Sequence, residues 1–536
     1  MHRILVLAAL LSVPCSPAAQ QLDVAAAKHI DSVFAAFATT HSPGCAVAVT
    51  RGTQVIFARG YGMASLELNV PITPRTVMDI GSVSKQFTAA SILMLQQEGK
   101  LSLDDDVRKY LPQLPDLGQR VTLRHLITHT SGWRDYSDIM SLDGWDERDR
   151  TTDRDAWEAL ERQRALNFAP GATYRYSNTG FFVLGEVVRK VSGRSLAEFV
   201  EERIFKPLGM TQTVIMDHSR MVIPDRAVAY APTAGGFEVE MSDWEQVGDG
   251  SVQTSVSDLA KWLANFETGA VGGKALQDSL LVHGRLNDGS TIAYTAGLSE
   301  LTYRGVQRIG HTGSWAGFRA VLVRYPKEHI GIVLTCNRSD AATATKAYRA
   351  SEALVHFTPA LAIAPAGGEK HDGFYAGGAT GTTYTFTTAA DTLFLVAGAQ
   401  RTPLSRTGPS VYSNSLQSYV MRFDGGRLIA TWLGDVPDTL MRTEPLAKLS
   451  AAQLAAYAGT YSSPELAGSI RVTVVDSALV MRLARGDDIP LTPVYRDAFD
   501  SDGLPAVKFV RDAKGRVVAV EFTNEGIHEL RLAKQP

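Results

Sequence analysis

Strand-like segments stand at both ends of the first 360 residues and are missing from the middle. Residues 44 to 63, opening GCAVAVT, alternate as a hairpin with Arg51-Gly52 at the turn. From 82 to about 265 the pattern is helical. Strands return at YTAGLSELTYRGVQRIGHTG, FRAVLVRYP and GIVLTCN, and DAATATKAYRASEALVHF reads as a closing helix. Strands first and last with helices between predict an α+β unit. Its one antiparallel sheet should bring the first and last strands together.

Beyond this unit the pattern changes. The small, Pro- and Gly-containing stretch around TPALAIAPAGGEKHDG reads as a linker, placed at 359–369. After it no helical period persists and short strands recur. FYAGG, DTLFLV, RTPLSR, YVMRFDGGRLIATW and TLMRTEP are followed by a similar series, AYAGTY, SALVMRL, DIPLTPV, VKFVRDAKGRVVAVEF and ELRLAKQP. A repeat of this kind, at 370–446 and 447–536, predicts two small antiparallel β-barrels, each closing its own edges.

The chain has 536 residues and a net charge of -3, which gives no reason to expect nucleic acid or an anionic membrane as partner. Its first 19 residues have an arginine, an apolar run and a small-residue end at Ala18-Ala19, so an exported protein, periplasmic or secreted, is expected. No later segment is apolar and long enough to span a bilayer. Cys45 and Cys336 both fall in strand-like runs. Two buried thiols are expected, with one bridge open to them if the strands are neighbours.

The segment DIGSVSKQFTAASILML places Ser82 and Lys85 three positions apart at the start of a helix that is apolar over most of its circumference. A serine there often only caps the helix. Positions i and i+3 share a face, however, so Lys85 can reach the Ser82 hydroxyl. A lysine in a buried site loses its proton more readily and can serve as a base. Downstream lie Tyr176-Ser177-Asn178, and His311-Thr312-Gly313 at a strand end, followed by Ser314. Each is weak alone, and Tyr412-Ser413-Asn414 recurs in the repeat region as strand sequence. The ordered set is far more specific. VTLRHLITHTSGW lies between the first two motifs.

With these four segments, residues 25 to 358 resemble the serine hydrolases related to class C β-lactamases. That group includes penicillin-recognising DD-peptidases, D-aminopeptidases and some esterases. The two-barrel tail is similar in architecture to that of the D-aminopeptidases. The resemblance implies a β-lactamase/transpeptidase-like domain over 20–358 and an acyl-enzyme on Ser82. Lys85 and Tyr176 would share the proton transfers, with the order between them open. Asn178 would bond Lys85 and the substrate amide. Asn178, His311, Gly313 and Ser314 would face the substrate, and the backbone N–H groups of Ser82 and Ser314 would form the oxyanion hole. His311 stands where β-lactamases carry a lysine. A histidine of ordinary pKa would be least charged above pH 7, so poor β-lactam hydrolysis is expected.

The implied substrate is a small molecule or short peptide, favourably a D-amino-acid peptide or amide, with no cofactor. An esterase or weak β-lactamase, or a penicillin-binding protein with little turnover, could use the same residues. His125 and His129 have an i, i+4 spacing but no glutamate follows His125, so no metal site is expected. No Gly-x-Ser-x-Gly elbow, phosphate loop or dinucleotide fingerprint occurs. The tail is expected to be separable from the fold of the hydrolase.

Overall fold

A computed structural model describes residues 22–536 except 399, 417, 433–435, 447 and 502. The expected export segment, 1–19, lies outside the described residues.

Six strands form the central sheet: β1 (Cys45–Arg51), β2 (Gln54–Tyr61), β3 (Ser299–Tyr303), β4 (Val306–Trp315), β5 (Phe318–Tyr325) and β6 (Ile330–Cys336). Their order is β3-β4-β5-β6-β1-β2, antiparallel throughout. The first strand thus pairs with the last, from Cys45 opposite Cys336 to Arg51 opposite Ile330. Both strands are buried along most of their length because helices cover both faces. Val24–Phe34 and Thr343–Ser351 pack on one face, where Ile30, Phe34 and Ala347 meet Val47, Val49, Val323 and Ile332. The larger helical layer packs on the other, around Phe87, Trp262 and Phe181.

Cys45 and Cys336 are bonded as a disulfide, not held as two thiols. The register leaves them directly opposite on neighbouring strands. The bridge closes a loop with a sequence separation of 291, and bridges typically stabilise by about 2–4 kcal/mol.

The tail forms two closed antiparallel barrels of eight strands each, from Gly373 to Thr443 and from Gly459 to Lys534. Residues before the first barrel are tied to it: Ala364 N–H donates to Ser405 Oγ at 3.0 Å, and Ala366 is fully buried in the barrel core.

The expected separability does not survive the contacts. The second barrel shares one continuous apolar core with the helical layer, including Leu454, Leu466 and Ile527. Arg134 and Glu465 form an ion pair at 3.2 Å with both side chains nearly inaccessible. Ala467 N–H donates to the buried Asp143 carboxylate at 2.7 Å, and Arg485 stacks on Trp145. Repeat sequence reports how a barrel closes its own sheet and not what its outer face covers. Truncation removes Glu465 with the barrel and exposes the apolar face that the barrel covers. A chain ending near residue 360 should therefore aggregate or lose its melting transition. Size-exclusion chromatography and calorimetry check this; a monodisperse, cooperatively melting product would refute it.

Candidate active site

The Ser82 turn is set by its neighbours. Gly81–Ser84 is a single 3-10 turn leading into the helix Lys85–Gln97. Asp79 holds it by accepting from Gly81 N–H at 2.7 Å and from Gln253 Nε2 at 2.5 Å. The Ser82 side chain caps nothing. Its oxygen instead accepts from Lys85 Nζ at 3.0 Å.

Strand β4 runs directly against this turn, and two glycines allow it. Gly81 has φ of +47°, and a Cβ there would sit 2.6 Å from Ser314 N. A Cβ on Gly313 would lie 1.9 Å from the Ile80 carbonyl oxygen and 3.2 Å from Ser82 N. Gly313 is thus a position of close approach. It brings the amides of Ser82 and Ser314 to one spot.

Lys85 is buried and has three acceptors: Ser82 Oγ, Asn178 Oδ1 at 2.8 Å and the Asp249 carbonyl at 2.7 Å. Burial lowers its pKa to about 8, against the opposing pull of the Asp249 and Asp135 carboxylates. Asn178 begins the helix Asn178–Ser192, and its N–H donates to Asp135 at 2.5 Å. Tyr176 sits within an aromatic group of His129, Tyr174, Tyr294 and His311. The Lys85 ammonium lies 4.9 Å from the centre of its ring. Burial holds the Tyr176 phenol well above its usual pKa. Its hydroxyl is close enough to Ser82 to be affected by it, yet makes no well-formed hydrogen bond among the described residues.

His311 is held by both ring nitrogens. Nδ1 is 2.5 Å from the Thr312 carbonyl, which only accepts, so Nδ1 carries the proton. Nε2 therefore accepts from Tyr294 Oη at 3.1 Å. Burial, reinforced by Lys85, lowers the His311 pKa to about 4. The ring is neutral near pH 7 as expected, but the pH dependence expected of an ordinary histidine between pH 6 and pH 8 is corrected, because the lowered pKa lies below that range.

Ser82 lies between two cavities. One, of about 430 Å³, is bounded by Tyr174, Tyr176, Tyr294 and His311 and reached by Glu525. The other, of about 230 Å³, is bounded by Tyr136, Asn178, Trp244, Asp249 and Trp315. Glu525 belongs to the loop joining strands Val517–Thr523 and Leu530–Lys534 of the second barrel. Gly526 accepts from Asp135 N–H at 2.9 Å and from Asn167 Nδ2 at 2.8 Å, while Asn524 donates to Asp138 at 2.9 Å. The loop is therefore fastened beside the residues that hold Asn178.

The seven residues singled out by sequence thus meet at one place. Sequence reasoning missed Glu525, Asp249, Asp135 and Tyr294, none of which stands in a motif. The two helical histidines have structural partners: His125 Nδ1 accepts from Thr122 N–H and His129 Nδ1 from Ser177 N–H. Among the described residues no group of three or more His, Cys, Asp or Glu is arranged to hold a metal ion, and no helix is long and apolar enough to cross a membrane.

Penicillin-binding protein 4* of Bacillus subtilis is 29% identical over 332 residues, 58% of this chain and 72% of its own length. A D-aminopeptidase of Cereibacter sphaeroides strain KD131 is 28% identical over 438 residues, 81% of this chain and 82% of its own. Two further D-aminopeptidases match over only 59% and 61% of their length. The structure of the octameric penicillin-binding protein homologue from Pyrococcus abyssi superposes with a TM-score of 0.57 at 24% identity. It covers 78% of this chain and all of that one, a likeness of fold. A family profile described as Beta-lactamase matches residues 30–356. With that match over more than half its length, the chain belongs to the β-lactamase family of serine hydrolases.

Proposed function

We propose that this is an exported amidase that cleaves peptides or amides after a D-aminoacyl group, through an acyl-enzyme on Ser82. The observation that carries the chemistry is the buried Lys85 amine, 3.0 Å from Ser82 Oγ and with its pKa lowered to about 8. Lys85 in its neutral form takes the hydroxyl proton as Oγ bonds to the carbonyl carbon. The oxyanion is received by the Ser82 and Ser314 amides. Tyr176, a neutral phenol at these pH values, gives its proton to the leaving nitrogen and regains one from Lys85. Water then reverses the sequence to free the acid. Asn178 holds Lys85 and offers its amide to the acyl group.

The substrate class rests on similarity to D-aminopeptidases and on the leaving-group side of the cleft. There the neutral His311 offers no positive charge to a substrate carboxylate. Export is supported by the N-terminal sequence and by the disulfide, which persists in oxidising compartments. A D-aminoacyl anilide, a chromogenic ester and a chromogenic cephalosporin assayed side by side test this reading. The anilide should give the highest kcat/KM; a clear preference for the cephalosporin would overturn it.

The β-lactam arm has its own test. His311→Lys should raise the ratio of acylation rates for a penicillin over an uncharged ester by about ten- to a hundredfold, the worth of a charge-assisted bond. The wild-type ring is neutral throughout, so the gain should be equal at pH 6 and pH 8. A ratio unmoved by the substitution would mean that residue 311 does not read the carboxylate.

A further inference from the structure

The two cavities beside Ser82 differ in what they can hold. Tyr176, placed to protonate the leaving nitrogen, borders the larger one, so the leaving group departs there. The acyl group then lies in the 230 Å³ cavity next to Asn178. That cavity has an unusual wall. Trp244 and Trp315 meet edge to face at 5.3 Å, and Tyr136 also lines it. Asp249 and Glu147 are both among its lining.

Each of these acids has one cation and a further acid close by. Asp249 accepts from Tyr136 Oη at 2.9 Å, with Asp135 also close, and Lys85 is its nearby cation. Burial pushes its carboxyl up to about 6, against the opposing pull of Lys85. Glu147 is raised by burial and by Glu240 beside it. Arg319 opposes that rise; its Nη1 donates to the Ala316 and Phe318 carbonyls at 2.6 and 2.7 Å, and its single charge is shared between Glu147 and Glu240. Carboxylates that are costly to bury gain from an incoming cation, and the indole faces attract the same charge.

We infer that this cavity receives the acyl residue of the substrate and selects one with a positively charged side chain. Asp249 faces the α-ammonium near the nucleophile, and Glu147, with Trp244 and Trp315, receives the cationic end. The aminoacyl form of this inference rests on the amidase reading; the charge preference of the cavity does not.

D-arginine and D-citrulline p-nitroanilides have nearly the same shape and differ in charge. The wild-type kcat/KM ratio should favour arginine by about tenfold or more at low salt and shrink as salt is added. Glu147→Gln should bring the ratio close to one; because it is a ratio, loss of folded enzyme cancels. Equal cleavage of the two anilides by wild type, or a ratio untouched by Glu147→Gln, would overturn the inference. If neither anilide is cleaved, the amidase reading fails. The cavity is then read with p-nitrophenyl esters of 6-aminohexanoate and heptanoate, where the same preference and the same collapse are expected. A second variant, Glu147→Lys, should reverse the order in favour of the adipate monoester over 6-aminohexanoate. An unreversed order would count against Glu147 as the group that reads the charge.

Discussion

Ser82→Ala will abolish turnover and covalent labelling together. Removing an attacking serine leaves only binding and the oxyanion site, and such losses run to about 10⁴–10⁶-fold in kcat. The variant should fold as wild type, because Ser82 caps no helix and its loss frees only one of the three Lys85 contacts. Intact-mass analysis after a fluorophosphonate or a penicillin should show one adduct on wild type and none on the variant. An adduct on the variant would locate the nucleophile at another serine.

The second large effect concerns Lys85 and Tyr176. Lys85→Ala and Tyr176→Phe should each remove most of the rate, and the double variant should lose little more, since groups acting in one proton transfer are not additive. The pH profile distinguishes their roles. The working form of Lys85 is unprotonated, and its pKa is lowered to about 8. The acylation rate should therefore rise with pH through a limb near 8. Tyr176 is held well above the usual phenol range, so no tyrosinate contributes at neutral pH. The limb should persist at a lower rate in Tyr176→Phe and vanish in Lys85→Ala. Fully multiplicative losses, or a limb that survives without Lys85, would refute the shared step.

What was legible in the sequence was what local periodicity and spacing encode. Ser82 and Lys85 are one helical turn apart, so their meeting follows from helix geometry. The union of the first and last strands follows from the placement of strand patterns at the two ends of the unit. Each barrel can be read because its alternation must close on itself. Glu525 was not legible, for it reaches the cleft only through packing between the outer face of a barrel and residues 134–138. The disulfide depended on register, which a pattern of period two does not fix across 291 residues. The neutrality of His311 near pH 7 was legible, but its persistence toward pH 6 was not, because desolvation is a property of the assembled cavity.

The Gly526 contact carries a consequence in time. Asp135 gives its N–H to Gly526 while its carboxylate receives the N–H of Asn178. The segment that positions an amide donor of the nucleophile's surroundings is thus anchored by chain made some 390 residues later. On the ribosome the Ser-x-x-Lys helix emerges long before its anchor. The sheet itself waits for β6, and the cleft waits for the last hairpin of the second barrel. An emerging chain therefore carries a reactive serine without the assembled groups that activate it. The anchored cleft is complete only after the last hairpin of the second barrel has been made.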